Sequence, residues 1–259
     1  MIFDTHIHTT ASPDGTSTPE EIVEFAKKQN LGCIFTEHAD YNHQHEPMFC
    51  VDFESYPEDY IRYRDETTLL GLEINLSSEC LELNAKNAAD ERLDFVIGSV
   101  HCIDDFDIGA NSERTRAKFE EHGEEFYARY FEYVLKNVKE SDFFDSFGHI
   151  DYISRYSSLP ERNVLYEKFH HLYDSILNAL IERNKVLELN SSRLQEAGAV
   201  ENLTKIYSRY TELGGKYVTL GSDAHTATAV GRNFDIAMRM VEAIGLEPVY
   251  FKGRRMVKC

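Results

Sequence analysis

The 259-residue sequence lacks any stretch of apolar residues that approaches the length of a membrane span. It opens with Met1-Ile2-Phe3-Asp4, which has neither the basic flank nor the apolar segment of a secretory signal. Low-complexity segments, linkers and obvious repeats are also absent from the sequence. We therefore expect no membrane anchor and no secretory signal, and we interpret residues 1–259 as a single domain.

Paired cysteines are absent as well. The five cysteines form no CxxC pair, and their number is odd. Disulfide frameworks normally show an even number of cysteines, so this pattern predicts reduced thiols in a cytoplasmic protein.

Positive charge is scarce in this sequence. It has 27 lysines and arginines against 45 aspartates and glutamates, which gives a formal net charge of -18. Binding to nucleic acid needs dense basic surfaces, so this balance argues against nucleic acid as a partner. A small anionic substrate stays compatible with the charge, because clustered metal ions reverse the local field.

Short strand-like runs alternate along the chain with longer amphipathic runs. This alternation predicts parallel βαβ units, and therefore an α/β barrel or a doubly wound sheet. A capping threonine followed by proline and two acids, Thr18-Pro19-Glu20-Glu21, predicts one helix start. The predicted strands are 2–8, 31–37, 69–76, 93–101, 143–151, 185–190, 216–222 and 247–252. The predicted helices are 19–29, 57–67, 84–91, 113–139, 161–183, 200–213 and 231–244, and long loops are expected over 40–56 and 102–115.

Six strand-like runs end with side chains that can bind metal ions. A doubly wound sheet gathers its site residues mainly at one switch point, whereas nearly every strand contributes here. This distribution favours a barrel with metal ions at the C-terminal ends of its strands. The six segments are Asp4-Thr5-His6-Ile7-His8, Thr36-Glu37-His38-Ala39-Asp40, Gly71-Leu72-Glu73, Gly98-Ser99-Val100-His101, Phe147-Gly148-His149-Ile150-Asp151 and Gly221-Ser222-Asp223-Ala224-His225.

His6 and His8 lie two residues apart on a predicted strand, so both side chains point to the same face. Two imidazoles in this arrangement can share one ion. A pair of ordinary core or surface histidines is an equally good interpretation of this motif when it is taken alone. The other five segments favour the metal-binding interpretation.

The order and spacing of these motifs resemble the PHP (polymerase and histidinol phosphatase) superfamily of metal-dependent phosphoesterases. The resemblance covers essentially the whole chain, from HIH through TEHAD, GLEIN, GSVH, GHID and ELN to GSDAH. It implies a distorted (β/α)7 TIM-like barrel with up to three metal ions at the strand ends. Within the superfamily the chain is most similar to the histidinol-phosphate phosphatases. Their activity implies hydrolysis of L-histidinol phosphate to L-histidinol and phosphate in histidine biosynthesis.

The resemblance also implies three sets of metal ligands. The first set is His6, His8, Glu73 and Asp223, the second is Glu73, His101 and His149, and the third is Asp14, His38 and His225. A histidine is expected in many relatives where this chain has Asp14, and the harder carboxylate oxygen could change which metal binds there. Mixed imidazole and carboxylate ligation suits two to three ions of Zn, Mn or Fe.

The implied chemistry is attack on phosphorus by a hydroxide that bridges two metal ions. A bridging carboxylate such as Glu73 can hold two cations about 3.5–4 Å apart, and a water between them loses a proton near neutral pH. Asp223 and His38 are the candidates to protonate the leaving oxygen. Arginine supplies bidentate donors to phosphate, so we expect Arg193 and Arg155 to bind the phosphoryl group.

Several further residues have open interpretations. The acids Asp104, Asp105 and Asp107 are solvated by default, but with Glu113 and Asp40 they could contact the cationic end of the substrate. Asp151 and Glu37 flank ligand histidines and could orient them, and His43 and His45 could belong to a substrate lid. Two other functions stay open, namely a phosphoesterase acting on a different monoester, nucleotide or phosphodiester, and a non-catalytic metal-binding barrel.

Overall fold

The structure is a computed structural model that describes residues 1–41, 47–103, 106–109 and 112–259. The described residues form twelve strands and eight α-helices, together with short 3₁₀ turns. The strands are β1 (Phe3–Ile7), β2 (Gly32–Tyr41), β3 (Pro47–Cys50), β4 (Thr68–Asn75), β5 (Phe95–Ser99), β6 (Cys102–Ile103), β7 (Phe106–Asp107), β8 (Ser146–Phe147), β9 (Val186–Asn190), β10 (Tyr217–Gly221), β11 (Glu247–Lys252) and β12 (Arg255–Lys258). The helices are α1 (Pro19–Lys28), α2 (Tyr56–Tyr60), α3 (Leu81–Ala88), α4 (Ser112–His122), α5 (Glu125–Glu140), α6 (Tyr166–Glu182), α7 (Ala199–Glu212) and α8 (Phe234–Ile244).

The central sheet is mostly parallel, as the alternation of strands and helices predicted. Its strands follow the order β1-β2-β4-β5-β8-β9-β10-β11-β12, and every pair from β1 to β11 is parallel. Two strands run antiparallel to their neighbours, β3 beside β2 and β12 beside β11. The molecule therefore has a mixed α/β fold, and the C-terminal ends of the parallel strands lie at the same edge of the sheet.

The first strand also contacts the segment that follows β10. Ile7 and Ala224 form a parallel bridge, and the backbone N–H of His8 donates to the carbonyl oxygen of Ala224 at 2.8 Å. The hydroxyl of Thr5 donates to the carbonyl oxygen of Leu220 at 3.0 Å. These contacts bring the ends of β1 and β10 side by side.

Local sequence signals set several element boundaries. The predicted capping box at the start of α1 is present, with the Thr18 side chain accepting from the Glu21 N–H and the Glu21 carboxylate accepting from the Thr18 N–H. Gly245, which follows α8, has a φ of 83°, the left-handed conformation that commonly ends a helix. Cap chemistry alone was therefore enough to locate these ends.

Some predicted boundaries were wrong. A continuous helix over 113–139 is instead two helices, α4 and α5, because Gly123 between them has a left-handed backbone with φ of 56°. The predicted loop over 40–56 contains β3, and the predicted loop over 102–115 contains β6, β7 and the start of α4. No described helix is long and apolar enough to cross a membrane.

Candidate metal centre

The predicted ligand side chains gather at the C-terminal ends of the parallel strands. They follow or belong to β1, β2, β4, β5, β8 and β10, and most of them are almost completely buried. Asp223 comes just after β10 and has a left-handed backbone with φ of 55°, which aspartate adopts more readily than most residues. One edge of the sheet thus holds all nine predicted ligands, which are His6, His8, Asp14, His38, Glu73, His101, His149, Asp223 and His225.

The first predicted set forms a compact group of donor atoms. His6 Nε2 lies 3.1 Å from His8 Nε2 and 3.2 Å from Glu73 Oε2. Asp223 Oδ1 lies 3.6 Å from His6 Nε2 and 3.5 Å from His8 Nε2, and His8 Nε2 lies 3.5 Å from Glu73 Oε2. Donors bound tetrahedrally at about 2.0–2.1 Å from a zinc ion stand about 3.3–3.4 Å apart. His6, His8 and Glu73 therefore have the spacing of ligands to one divalent cation, and Asp223 lies next to both histidines.

The second predicted set uses the other oxygen of Glu73. Glu73 Oε1 lies 2.7 Å from His149 Nε2 and 3.2 Å from His101 Nε2, and the two imidazole nitrogens are 3.3 Å apart. The Ser99 hydroxyl donates to the same carboxylate oxygen at 2.6 Å. Each oxygen of Glu73 thus belongs to a different donor group, as a bridging carboxylate requires.

The third predicted set is more open. His225 Nε2 lies 2.7 Å from Asp14 Oδ2, while His38 Nε2 lies 3.7 Å from the same oxygen. The two imidazole rings are 6.1 Å apart, and the Asp14 side chain is 37% exposed. His38 Nδ1 also lies 3.2 Å from Glu73 Oε2. This group is the least enclosed of the three.

The chemistry of the buried donor set supports the fit to metal ions. Donor atoms of three side chains come within 4.8 Å of one another at several places in the cluster, among them the group of His6, His8 and Glu73 and the group of Glu73, His101 and His149. The donor chemistry of the cluster, imidazole and carboxylate, is that of borderline divalent cations such as zinc.

The electrostatics keep four of the ligands in their metal-binding forms, whereas at His6 and His101 the neighbouring carboxylates outweigh burial and raise the pKa of both rings. Burial and the neighbouring His38 hold the pKa of His8 well below its usual value, and burial lowers the pKa of His149, so both rings stay neutral. Burial would raise the pKa of Glu73, but the charges of His6 and His101 hold it well below its usual range. Burial would likewise raise the pKa of Asp223, but the charges of Arg155 and His6 hold it well below its usual range.

Glu188 is a buried residue of the site that the ligand analysis did not single out. One of its oxygens lies 2.6 Å from His6 Nδ1, and the other accepts the backbone N–H of His149 at 2.6 Å. A Cβ atom at Gly221 would lie 2.1 Å from the Glu188 carboxylate, so the glycine makes room for it. The ELN segment at the end of β9 was the available signal, because that strand end shares the edge with the ligands.

Asp40 contacts the opposite side of the cluster. Its carboxylate lies 2.7 Å from His101 Nδ1, so it orients a predicted ligand. Glu37 and Asp151 make no direct hydrogen bond to a histidine ring among the described contacts. Glu37 accepts from the hydroxyls of Thr9 and Ser12, and Ser12 Oγ lies 3.5 Å from His8 Nδ1, whereas Asp151 accepts from Arg193.

Seven of the nine predicted ligands, all except His6 and His8, line a cavity of about 200 Å³ that opens to solvent. Aromatic side chains, the acid Asp107 and Arg155 also line it. The expectation for Asp107 is thus compatible with its place in the cavity, whereas Glu113 is exposed and does not line it. Asp104, Asp105, His43 and His45 lie outside the described residues.

The two predicted phosphate-binding arginines have different surroundings. Arg155 lines the cavity, its Nη2 lies 2.6 Å from Asp223 Oδ2, and its buried Nε has no hydrogen-bond partner. Arg193 is not among the lining residues, and its guanidinium donates to Asp151, Asn163 and Glu196. This placement differs from the prediction of a direct phosphate contact, because each nitrogen of the Arg193 guanidinium already has a protein acceptor.

Known proteins resemble this chain in sequence and in fold. The family model described as PHP domain matches residues 4–192. Over 99% of both chains, the sequence is 38% identical to a probable histidinol-phosphatase of Clostridium acetobutylicum. It is 27% identical to a histidinol-phosphatase of Lactococcus lactis, over 99% of this chain and 96% of that protein. A crystal structure of histidinol phosphate phosphatase from Lactococcus lactis, complexed with zinc, L-histidinol and phosphate, shares the fold with a TM-score of 0.80, at 23% identity over 99% of both chains.

Proposed function

The chain belongs to the PHP domain family, and we propose that it is a metal-dependent phosphomonoesterase that hydrolyses L-histidinol phosphate to L-histidinol and phosphate. The observation that supports this most strongly is Glu73, whose two oxygens face two separate groups of buried histidine and carboxylate donors. The identity of the substrate is inferred from the relatives named as histidinol-phosphatases, which the chain matches over nearly their full length.

We further propose that the sheet closes into a distorted barrel of seven parallel strands. The seven are β1, β2, β4, β5, β8, β9 and β10. The hydrogen bonds between the backbone of β1 and the segment after β10 support this closure. In such a barrel the donor side chains would stand in a ring around the mouth.

In the proposed centre, two to three divalent cations would be held by the nine clustered ligands, with zinc, manganese and iron as candidates. Bound cations would supply an activated water near neutral pH and neutralise the charge of the phosphoryl oxygens. Glu73 would contribute one oxygen to each of two donor groups. Glu188 and Asp40 would fix the orientation of the imidazole rings of His6 and His101.

The substrate would enter through the cavity with its phosphoryl group toward Arg155. The ion pair with Asp223 holds the Arg155 guanidinium at the cavity wall, and its unpartnered Nε–H is available to a phosphoryl oxygen. His38 and Asp223 line the same cavity, but the lowered pKa of Asp223 keeps its carboxylate ionised, so His38 is our candidate to protonate the leaving oxygen. Asp107 would contact the cationic part of the substrate from the cavity wall.

The proposal is tested by comparing kcat/KM values on metal-restored enzyme. The substrates are L-histidinol phosphate, a panel of other phosphomonoesters and one phosphodiester. We expect L-histidinol phosphate to exceed the rest by several orders of magnitude. A flat profile, or a preference elsewhere on the panel, would leave a phosphoesterase of this family and contradict the role in histidine biosynthesis.

A further inference from the structure

A second cavity, of about 260 Å³, adjoins the metal-site cavity and is lined by three arginines. The arginines are Arg116, Arg155 and Arg162, and Tyr156 and Ser157 complete the lining. Arg155 and Tyr156 line both cavities, so the two spaces meet at the Arg155 side chain. No described carboxylate lines the second cavity, although acids outnumber bases 45 to 27 in the sequence.

Two of these arginines lack the acidic partners that most arginines of the structure have. Arg116 and Arg162 are exposed, and neither forms an ion pair with a carboxylate among the described residues. The described side-chain hydrogen bond of Arg162 runs from Nη2 to the carbonyl oxygen of Arg155 at 2.7 Å. In a chain with a large surplus of acids, two unpaired guanidinium groups beside one cavity leave a local positive potential.

Buried contacts hold the backbone that carries these arginines. The hydroxyl of buried Thr115 donates to the carbonyl oxygen of Ile108 at 2.8 Å and anchors the helix turn next to Arg116. The hydroxyl of buried Tyr127 donates to the carbonyl oxygen of Arg162 at 2.9 Å. The backbone beneath the exposed guanidinium groups is therefore fixed before any ligand arrives.

We propose that this second cavity is a binding site for a phosphate-sized oxyanion, separate from the metal centre. Guanidinium groups bind tetrahedral oxyanions through two parallel hydrogen bonds, which lysine cannot form in the same way. The identity of the anion as phosphate rests on the proposed function, since the enzyme would take in a phosphoester and release phosphate. The arriving phosphoester and the departing phosphate would both pass Arg155, which lines both cavities.

A positively charged cavity would help a protein of this net charge to attract an anionic ligand. A net charge of -18 repels a phosphate ester at a distance, which slows its arrival. A positive pocket beside the entrance offsets this repulsion where it matters and concentrates the anion next to the catalytic cavity. The same pocket would hold released phosphate before it diffuses away.

Titration of the metal-loaded enzyme with inorganic phosphate tests the site without turnover. Isothermal calorimetry should find two phosphates per chain in the unsubstituted protein and one in R116A/R162A. The matched control is R62A/R255A, which removes the same charge from two exposed arginines that line neither cavity and should still bind two. R116K/R162K keeps the charge without the paired N–H geometry and should bind the second phosphate more weakly. Equal stoichiometry in R116A/R162A and the control, or one phosphate in the unsubstituted protein, would overturn the site.

Kinetics at low ionic strength distinguish the two sources of the anion. A fall of about tenfold in kcat/KM for R116A/R162A with unchanged kcat would assign the site to the arriving ester. Unchanged kcat/KM with weaker inhibition by inorganic phosphate would assign it to the leaving product. A chain that bound two phosphates yet failed to hydrolyse L-histidinol phosphate would retain this site and refute only the proposed function.

Discussion

At the scale of single residues, the proposed chemistry depends on Glu73 and the imidazoles around it. Glu73 is 1% exposed, and its charge is balanced by histidines rather than by lysine or arginine. A buried carboxylate in these surroundings is stable only if its neighbours carry positive charge or hold cations. The two donor groups that share Glu73 are therefore expected to bind metal interdependently.

His101→Ala should remove one donor from the second group. We expect turnover to fall at least about 100-fold, because the substitution removes a ligand and leaves Asp40 without its imidazole partner. Stability should fall by about 1–3 kcal/mol, since one buried polar partner is lost. The measurements are kcat, metal content and denaturant unfolding, with His170→Ala on the exposed face of α6 as the control. Near-full activity with full metal content in His101→Ala would contradict the dinuclear assignment.

Glu188→Gln tests a positioning residue that makes no contact with the substrate cavity. The amide keeps the size of the side chain but removes the charge that faces His6 Nδ1, so the imidazole becomes a weaker ligand. We expect metal affinity to fall about 10- to 100-fold, as measured by competition with a chromogenic chelator. Glu182→Gln on the exposed end of α6 is the control. An unchanged affinity would mean that Glu188 contributes only to the packing of the core.

The sequence was sufficient to predict which histidines and carboxylates gather at one edge of the sheet, but not the residues that contact them from behind. The cluster could be predicted because metal binding restricts the side-chain type and because the strand periodicity placed these residues at one edge. Glu188 lies 182 residues from His6, and their contact depends on how β1 and β9 are arranged in the sheet. The surroundings of Arg193 could not be predicted for a similar reason, because its partners Asp151 and Asn163 come from distant parts of the chain.

At the scale of elements, the strands were predicted better than the helix ends. Every predicted strand overlaps an observed one, since alternating buried runs are visible in the sequence. The helix over 113–139 was predicted as continuous because a single glycine is a weak signal inside a long amphipathic pattern. What separates α4 from α5 is the backbone conformation of Gly123, which residue type alone does not determine.

Gly123→Ala should therefore destabilise the junction of α4 and α5. A side chain at this position has free space, so the cost arises from the left-handed backbone and not from a clash. We expect a loss of about 1–2 kcal/mol in the free energy of unfolding, measured by urea denaturation. Gly123→Asn is the matched variant and should lose less, because asparagine tolerates this conformation. If the alanine variant is as stable as the parent, the junction is not conformationally strained.

At the scale of the whole molecule, one end of the sheet concentrates charges that folding has taken out of water. Glu73, Asp223, Glu188 and Asp40 are all at least nine-tenths buried around the clustered histidines. Without cations this cluster holds carboxylate oxygens and imidazole nitrogens close together out of water, which costs free energy. Cation binding to the folded state alone should thus stabilise the fold as a whole.

Removal of metal with a chelator should lower the urea midpoint of the whole protein. Free metal at about 1,000 times the dissociation constant would contribute about 4 kcal/mol to the free energy of unfolding, and the chelated protein loses that contribution. Glu188→Gln should show a smaller difference in urea midpoint between its metal-loaded and chelated forms, because the variant binds metal more weakly. Gly123→Ala should show the full difference in midpoint, because Gly123 is not one of the predicted ligands. Equal midpoints with and without chelator in the parent protein would mean that these side chains fold as a cluster without cations, which would contradict the metal centre itself.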